Sequence, residues 1–233
     1  SSVDLPIGYS SVSNVKLSGS STASSFYVRA NTSVSWNGCV EERQTVRTSD
    51  FDPIPSDAYD MNIDMVPDVN DALTQWGPML VGAVWGRTSG STKSYDPVDT
   101  SVTASMGGSS RNISTSYCPP AARRLARYTT SAQKDDFVDY VNDLYDDGNT
   151  YHDIGLIWGA RLMSPTGIFA DDNDFTPEGG EIQRHLIFMT DGDTQTSNTN
   201  YTAYGVPWWD RRTTSIASAP TNSDLDNNVN VRF

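Results

Sequence analysis

The sequence predicts an α/β domain, an open parallel sheet flanked by helices. Three observations carry this expectation. Two consecutive segments, at 130–148 and 150–165, repeat their apolar residues with helical period. After an acid-rich loop comes "HLIFM" (His185 to Met189), an apolar run of the length expected for a strand buried on both faces. That run stops at Thr190-Asp191-Gly192-Asp193, and in open sheets ligands bind at the carboxyl ends of strands.

In chain order, residues 1–50 read as short β-type runs, "FYVRA" (26–30) and "SVSW" (33–36), between Ser, Gly and Asn turns. Pro53, Pro55 and Pro67 exclude a long helix between 51 and 80. The stretch 89–116 is low in complexity and nearly free of large apolar residues, which predicts an exposed loop. Residues 1–117 are therefore expected to form a loop-rich β-type insertion region, and 118–233 a partial α/β core.

Within that core, "TSAQKDDFVDYVNDLYDDG" opens with a capping-box pattern, Thr130 and Gln133, and closes at Gly148. Phe137, Val141, Leu144 and Tyr145 share one face of the helix, and the acids fall mostly elsewhere. In "GNTYHDIGLIWGARLMSP", Ile154, Ile157, Trp158 and Leu162 share a second face, Thr150 stands at the N-cap position, and Ser164-Pro165 stops the helix. Near the end of the chain, Leu225, Val229 and Phe233 are spaced as a short helix. Gly192 lets the chain turn away from the strand end without a Cβ in its path.

Composition narrows the function classes. Of the 233 residues 36% are hydrophobic, and the formal charge is −13. Such a chain cannot neutralise phosphates over an extended surface, so nucleic acid is excluded as a partner. No run of about 18 apolar residues exists to span a membrane. The two cysteines, Cys39 and Cys118, lack metal-site spacing; they read as a disulfide, with two separate buried thiols as the alternative. A bridge would place the protein in an oxidising compartment.

"GNTYHDIGLIWGARLMSP", "HLIFMTDGDTQTS" and "YTAYG", with "SWNGCVEER" and "YCPPA" upstream, resemble the TadG-like proteins of Tad (tight adherence) pilus systems. The resemblance covers roughly residues 35–205, densely after 117. It implies a von Willebrand factor A-like (Rossmann-like) sheet and a non-enzymatic adhesion or assembly role in the extracytoplasmic space. It also implies a protein partner from the pilus or envelope and anchoring through an upstream segment. The family's metal-ion-dependent adhesion site would hold a divalent cation, Mg or Ca, through Thr150 and Asp191. Asp193, otherwise a turn residue, and Asn149 would hydrogen-bond these ligands from outside the coordination shell. The family's third loop, D-x-S-x-S, has no convincing counterpart here; the nearest text, "DTSVT" (99–103), has no apolar strand before it. The chain is thus expected to lack its first and last elements, and with them part of the cation site.

Rival readings exist for the same residues. A secreted carbohydrate-binding or carbohydrate-active protein would use paired acids and exposed Tyr201, Tyr204, Trp208 and Trp209, which otherwise read as packing. A third reading is a structural subunit with a vestigial metal site. Asp171-Asp172-Asn173-Asp174 lacks EF-hand spacing. His152 and His185 read as structural polar residues, and no G-x-S-x-G elbow appears.

Overall fold

The computed structural model describes residues 2–5, 16–17, 32–35, 38–79, 83–84, 88–89, 92–93, 118–145, 148–198, 201–205, 207–215, 217–218 and 220–233. "FYVRA", "DTSVT" and nearly all of the low-complexity stretch lie outside them.

The strands are short and pair in twos: β1 (Ser2–Leu5) with β3 (Thr32–Ser35), β2 (Lys16–Leu17) with β6 (Ala83–Val84), β4 (Val40–Glu41) with β5 (Gly77–Pro78), and β7 (Thr88–Ser89) with β8 (Thr92–Lys93). Each pair is antiparallel, and among the described residues no two strands pair in parallel. Prolines keep helix among the described residues of 51–80 to two single-turn 3₁₀ segments, Tyr59–Met61 and Ala72–Thr74. The second is capped by Asp71, whose side chain accepts from Leu73 N at 3.0 Å.

Three helices of eleven or twelve residues follow from their terminal chemistry. Helix α1 (Ser131–Asn142) starts at a complete capping box: Thr130 Oγ1 accepts from Gln133 N, and Gln133 Oε1 accepts from Thr130 N. Helix α2 (His152–Met163) ends where Pro165 forces Ser164 into extended geometry. Between it and the last helix lie two single turns, α3 (Ala170–Asn173) and α4 (Pro207–Asp210). Helix α5 (Asn222–Arg232) opens with a second capping box, Thr221 with Asp224, and packs on α2.

Three expectations are corrected. Helix α1 stops at Asn142 rather than running to Gly148, and none of its residues is buried; Phe137 rests on Tyr128, ring centroids 5.0 Å apart, but stays 43% exposed. Thr150 is not the cap of α2. Its N–H and C=O are both committed to a bridge with Gln195, so the helix begins two residues later, after Tyr151. The run at 185–189 is not a buried strand. It joins no ladder, because none of the described residues offers it a paired neighbour, and Ile187 and Met189 are 81% and 86% exposed.

The centre of the molecule is built from charge instead. Among the described residues the buried apolar side chains include Phe51, Ala58, Met79, Tyr204, Leu225 and Val229, while Arg43, Arg161, Asn173 and Asp60 are the largest that are fully enclosed. Charged groups almost never enter a core unless paired. The packing they organise crosses position 117, joining 39–79 to α2, residues 201–214 and α5.

Candidate functional site

Two loops meet where α2 begins. Thr150 N donates to Gln195 O at 2.7 Å and Gln195 N returns the bond to Thr150 O at 3.2 Å. His152, in the first turn, clasps the strand-end loop from both ring nitrogens: Nε2 lies 3.0 Å from Thr190 Oγ1, and Nδ1 lies 3.0 Å from Thr194 Oγ1. Thr194 Oγ1 also donates to Asn230 Oδ1 of α5 at 2.8 Å. The imidazole is flanked by the rings of Phe188 and Phe233, with centroids 5.5 and 5.4 Å away. The segment bearing Asp191 is therefore held against the helix start that follows Thr150. Thr190 Oγ1 accepts from Gly192 N at 3.3 Å and donates to Gly192 O at 3.0 Å, closing the turn between them. Asp191, Asp193 and Asn149 are exposed and Thr150 is half-buried.

The oxygen donors at this end, a hydroxyl and carboxylates, suit a hard divalent cation in kind. In number they fall short: among the described residues no three His, Cys, Asp or Glu side chains stand together to hold an ion. The 171–174 acids are no alternative. Asn173 points inward, donating to Leu162 O at 2.8 Å and Phe169 O at 2.9 Å, and Asp172 pairs with Arg124.

Behind this end lies a buried ionic cluster that sequence reasoning missed. Arg161 grips Glu42 with NH1 to Oε1 at 2.7 Å and NH2 to Oε2 at 3.0 Å. The same carboxylate accepts Trp158 Nε1 at 2.8 Å and Trp76 Nε1 at 3.1 Å. Arg43 lies over the Trp76 ring, 3.8 Å from its centroid; burial first, then the Arg161 charge, lowers its pKa to about 10. About two turns nearer the start of α2, Asp153 accepts Arg232 Nε at 3.2 Å, while Arg232 NH2 reaches Asp60 and Tyr204. Tyr204 OH donates to Asp60 Oδ2 at 2.8 Å. Burial raises the pKa of Asp153 against the opposing pull of Arg232, and raises Tyr204 far above the usual phenol range. Glu41, held by Tyr201 and Arg212, is likewise raised, because burial outweighs both partners.

A signal for this cluster existed in the text. Asp153, Ile157 and Arg161 are spaced i, i+4, i+8, so both charges lie on a face that carries an apolar residue. On α5, Leu225, Val229 and Arg232 are spaced i, i+4, i+7, which again sets a charge on the apolar face. Tyr204, a candidate for an exposed aromatic patch, is in the core at 7% exposure. Cys39 and Cys118 form a disulfide, which ties β4, beside Glu42, to the segment leading into α1. No helix among the described residues is long and apolar enough to cross a membrane. No protein-family model, curated protein or solved structure matches the chain.

Proposed function

We propose that this chain is a non-enzymatic adhesion or assembly domain of the von Willebrand A type, from a TadG-like component of a Tad pilus system. The observation that carries the proposal is the double tether of Asp191's loop to the helix start beside Thr150, through the Thr150–Gln195 bridge and His152. Those are the two positions at which the family resemblance sets cation ligands. Thr150 and Asp191 would hold the ion, with Asp193 and Asn149 hydrogen-bonded around it, and ligands beyond the described cluster would complete the shell. A bound Mg or Ca would supply an open coordination position for a carboxylate of the protein partner. The residues of this chain supply rigidity: the His152 clasp fixes the loop, and the ionic cluster behind α2 fixes the helix. The disulfide supports an extracytoplasmic setting.

Titration with Mn²⁺ or Mg²⁺ alone tests the reading. In a protein that also carries the family's third metal loop, wild type is expected to bind and Asp191→Ala to lose binding with an unchanged circular dichroism spectrum. Equal binding by both proteins would overturn the site.

A second reading, carbohydrate binding, is favoured by one observation. An open cleft of about 790 Å³ lies between residues 45–49 and 210–215, with Thr48, Ser49, Thr213 and Ser215 on its walls beside Arg47. Retention on a glycan array, lost in Arg47→Glu, would support that reading; no retention would end it.

A further inference from the structure

The cleft between residues 45–49 and 210–215 is built on a fixed frame. Arg212 NH2 donates to Glu42 O at 2.5 Å and to Arg43 O at 2.7 Å, which ties the second wall to the chain leading into the first. Helix α5 braces both: Arg232 NH1 donates to Thr45 Oγ1 at 3.0 Å, and Asn228 Nδ2 to Thr213 O at 3.1 Å. Arg211, on the second wall, is buried at φ +50°. A non-glycine residue holds that left-handed backbone only where its surroundings impose it, and such residues gather at binding sites. The cleft's volume of about 790 Å³ falls within the roughly 300–1,000 Å³ of ligand clefts. Thr150, Asp191 and the run at 185–189 take no part in its walls.

The walls carry polar groups that the fold does not use. Among the described residues the exposed Arg47 guanidinium meets no acceptor, and the Ser49 and Thr213 hydroxyls have no hydrogen-bond partner. Thr214 lines the same cleft, and its enclosed Oγ1 lacks a partner too, an omission that a ligand in the cleft would explain. Asp210, the acid on the walls, sets its carboxylate against Gly205. On a chain of formal charge −13, an unopposed cation in a cleft marks a place for an anion. A guanidinium fork matches a carboxylate with two parallel hydrogen bonds. Hydroxyls both donate and accept, as the hydroxyls of a sugar do. Val46 is the apolar residue of the walls, so they offer neither a ring for a neutral sugar to stack on nor a pocket for the apolar anchor of a peptide. We propose that this cleft binds an acidic glycan, with a sugar carboxylate on Arg47 and sugar hydroxyls on Ser49, Thr213 and Thr214. The proposal rests on the carbohydrate reading of the cleft and names the class of sugar.

Calorimetric titration of the full chain with hexagalacturonate and with sialyllactose, in the presence of a chelator, tests the proposal. The two arms separate a uronate from a sialate as the source of the carboxylate. Saturable binding is expected in at least one arm, unchanged in Asp191→Ala. Methyl esterification of the bound sugar keeps its rings and hydroxyls but removes its charge, and should weaken binding by about tenfold or more, the worth of a charge-assisted hydrogen bond. Arg47→Gln should weaken binding of the acid by a similar factor. Arg47→Lys should recover part of the loss, because lysine keeps the charge without the fork. Arg47 is exposed and makes no bond among the described residues, so both variants should keep the wild-type urea midpoint. An ester that binds as tightly as the acid would overturn the proposal and leave the carbohydrate reading standing; no binding in any arm would overturn both. Indifference to Arg47→Gln, tighter binding of hexaglutamate, or binding lost in Asp191→Ala would each overturn the proposal as well.

Discussion

Glu42→Leu is expected to be among the most damaging single changes in this protein. The Glu42 and Arg161 side chains are 1% and 0% exposed. Losing the carboxylate strands a guanidinium in the interior, with the Asp60 carbonyl as its remaining hydrogen-bond acceptor in the cluster, and leaves two indole N–H groups without their acceptor. Breaking one side of a buried ion pair costs about 3–5 kcal/mol, a large share of the roughly 5–15 kcal/mol that holds a domain folded. Arg161→Met should cost about as much, because it leaves the Glu42 charge facing only the indoles. The pair is not intrinsically more stabilising than an apolar contact of the same volume, so Glu42→Leu/Arg161→Met should cost no more than either single change. The coupling then comes to about 4 kcal/mol. Urea unfolding with the disulfide intact measures all four proteins, and fluorescence of Trp76 and Trp158, 5.5 Å apart beside the pair, reports directly on the site. Single variants that each cost under about 1 kcal/mol, the value for a solvated pair, would refute the claim that this cluster is the core. So would costs that simply add.

Three further outcomes are expected. Cys39→Ser/Cys118→Ser opens a loop spanning 79 positions and should lower stability by about 4 kcal/mol in the chain-entropy model, read as the shift in urea midpoint. Gly205 has φ +80°, and a Cβ there would collide with the Asp210 carboxylate, so Gly205→Ala should cost about 1–3 kcal/mol by the same assay. The third concerns pH. Burial raises the folded-state pKa of Glu41, so the folded protein holds that proton more tightly than the unfolded chain. The corresponding stability is complete below the unfolded value of about 4 and is lost as pH rises through the folded value. The stability advantage of wild type over Glu41→Gln should therefore shrink as pH rises from about 4; an advantage that grows with pH would show that Arg212 and Tyr201, not burial, dominate there.

Features that depend on neighbours along the chain could be read from the residues alone. Thr130 with Gln133, Ser164 before Pro165, and the prolines of 51–80 act over one turn, and the elements begin or stop where those residues stand. For the candidate site, the text marked Thr150 and Asp191, and the bridge to Gln195 with the His152 clasp holds their two segments together. Which side chains go inside was fixed by contacts between segments far apart in the chain. A single chain's periodicity cannot tell a core face from a solvated one when charges are mixed into it. Asp153 and Arg161 resemble surface residues until Glu42 and Arg232, more than 70 positions away in sequence, arrive to neutralise them. The same cause misplaced "HLIFM": an apolar run becomes a buried strand only when other strands pair with its backbone, and such pairing is a property of distant residues that the run does not encode.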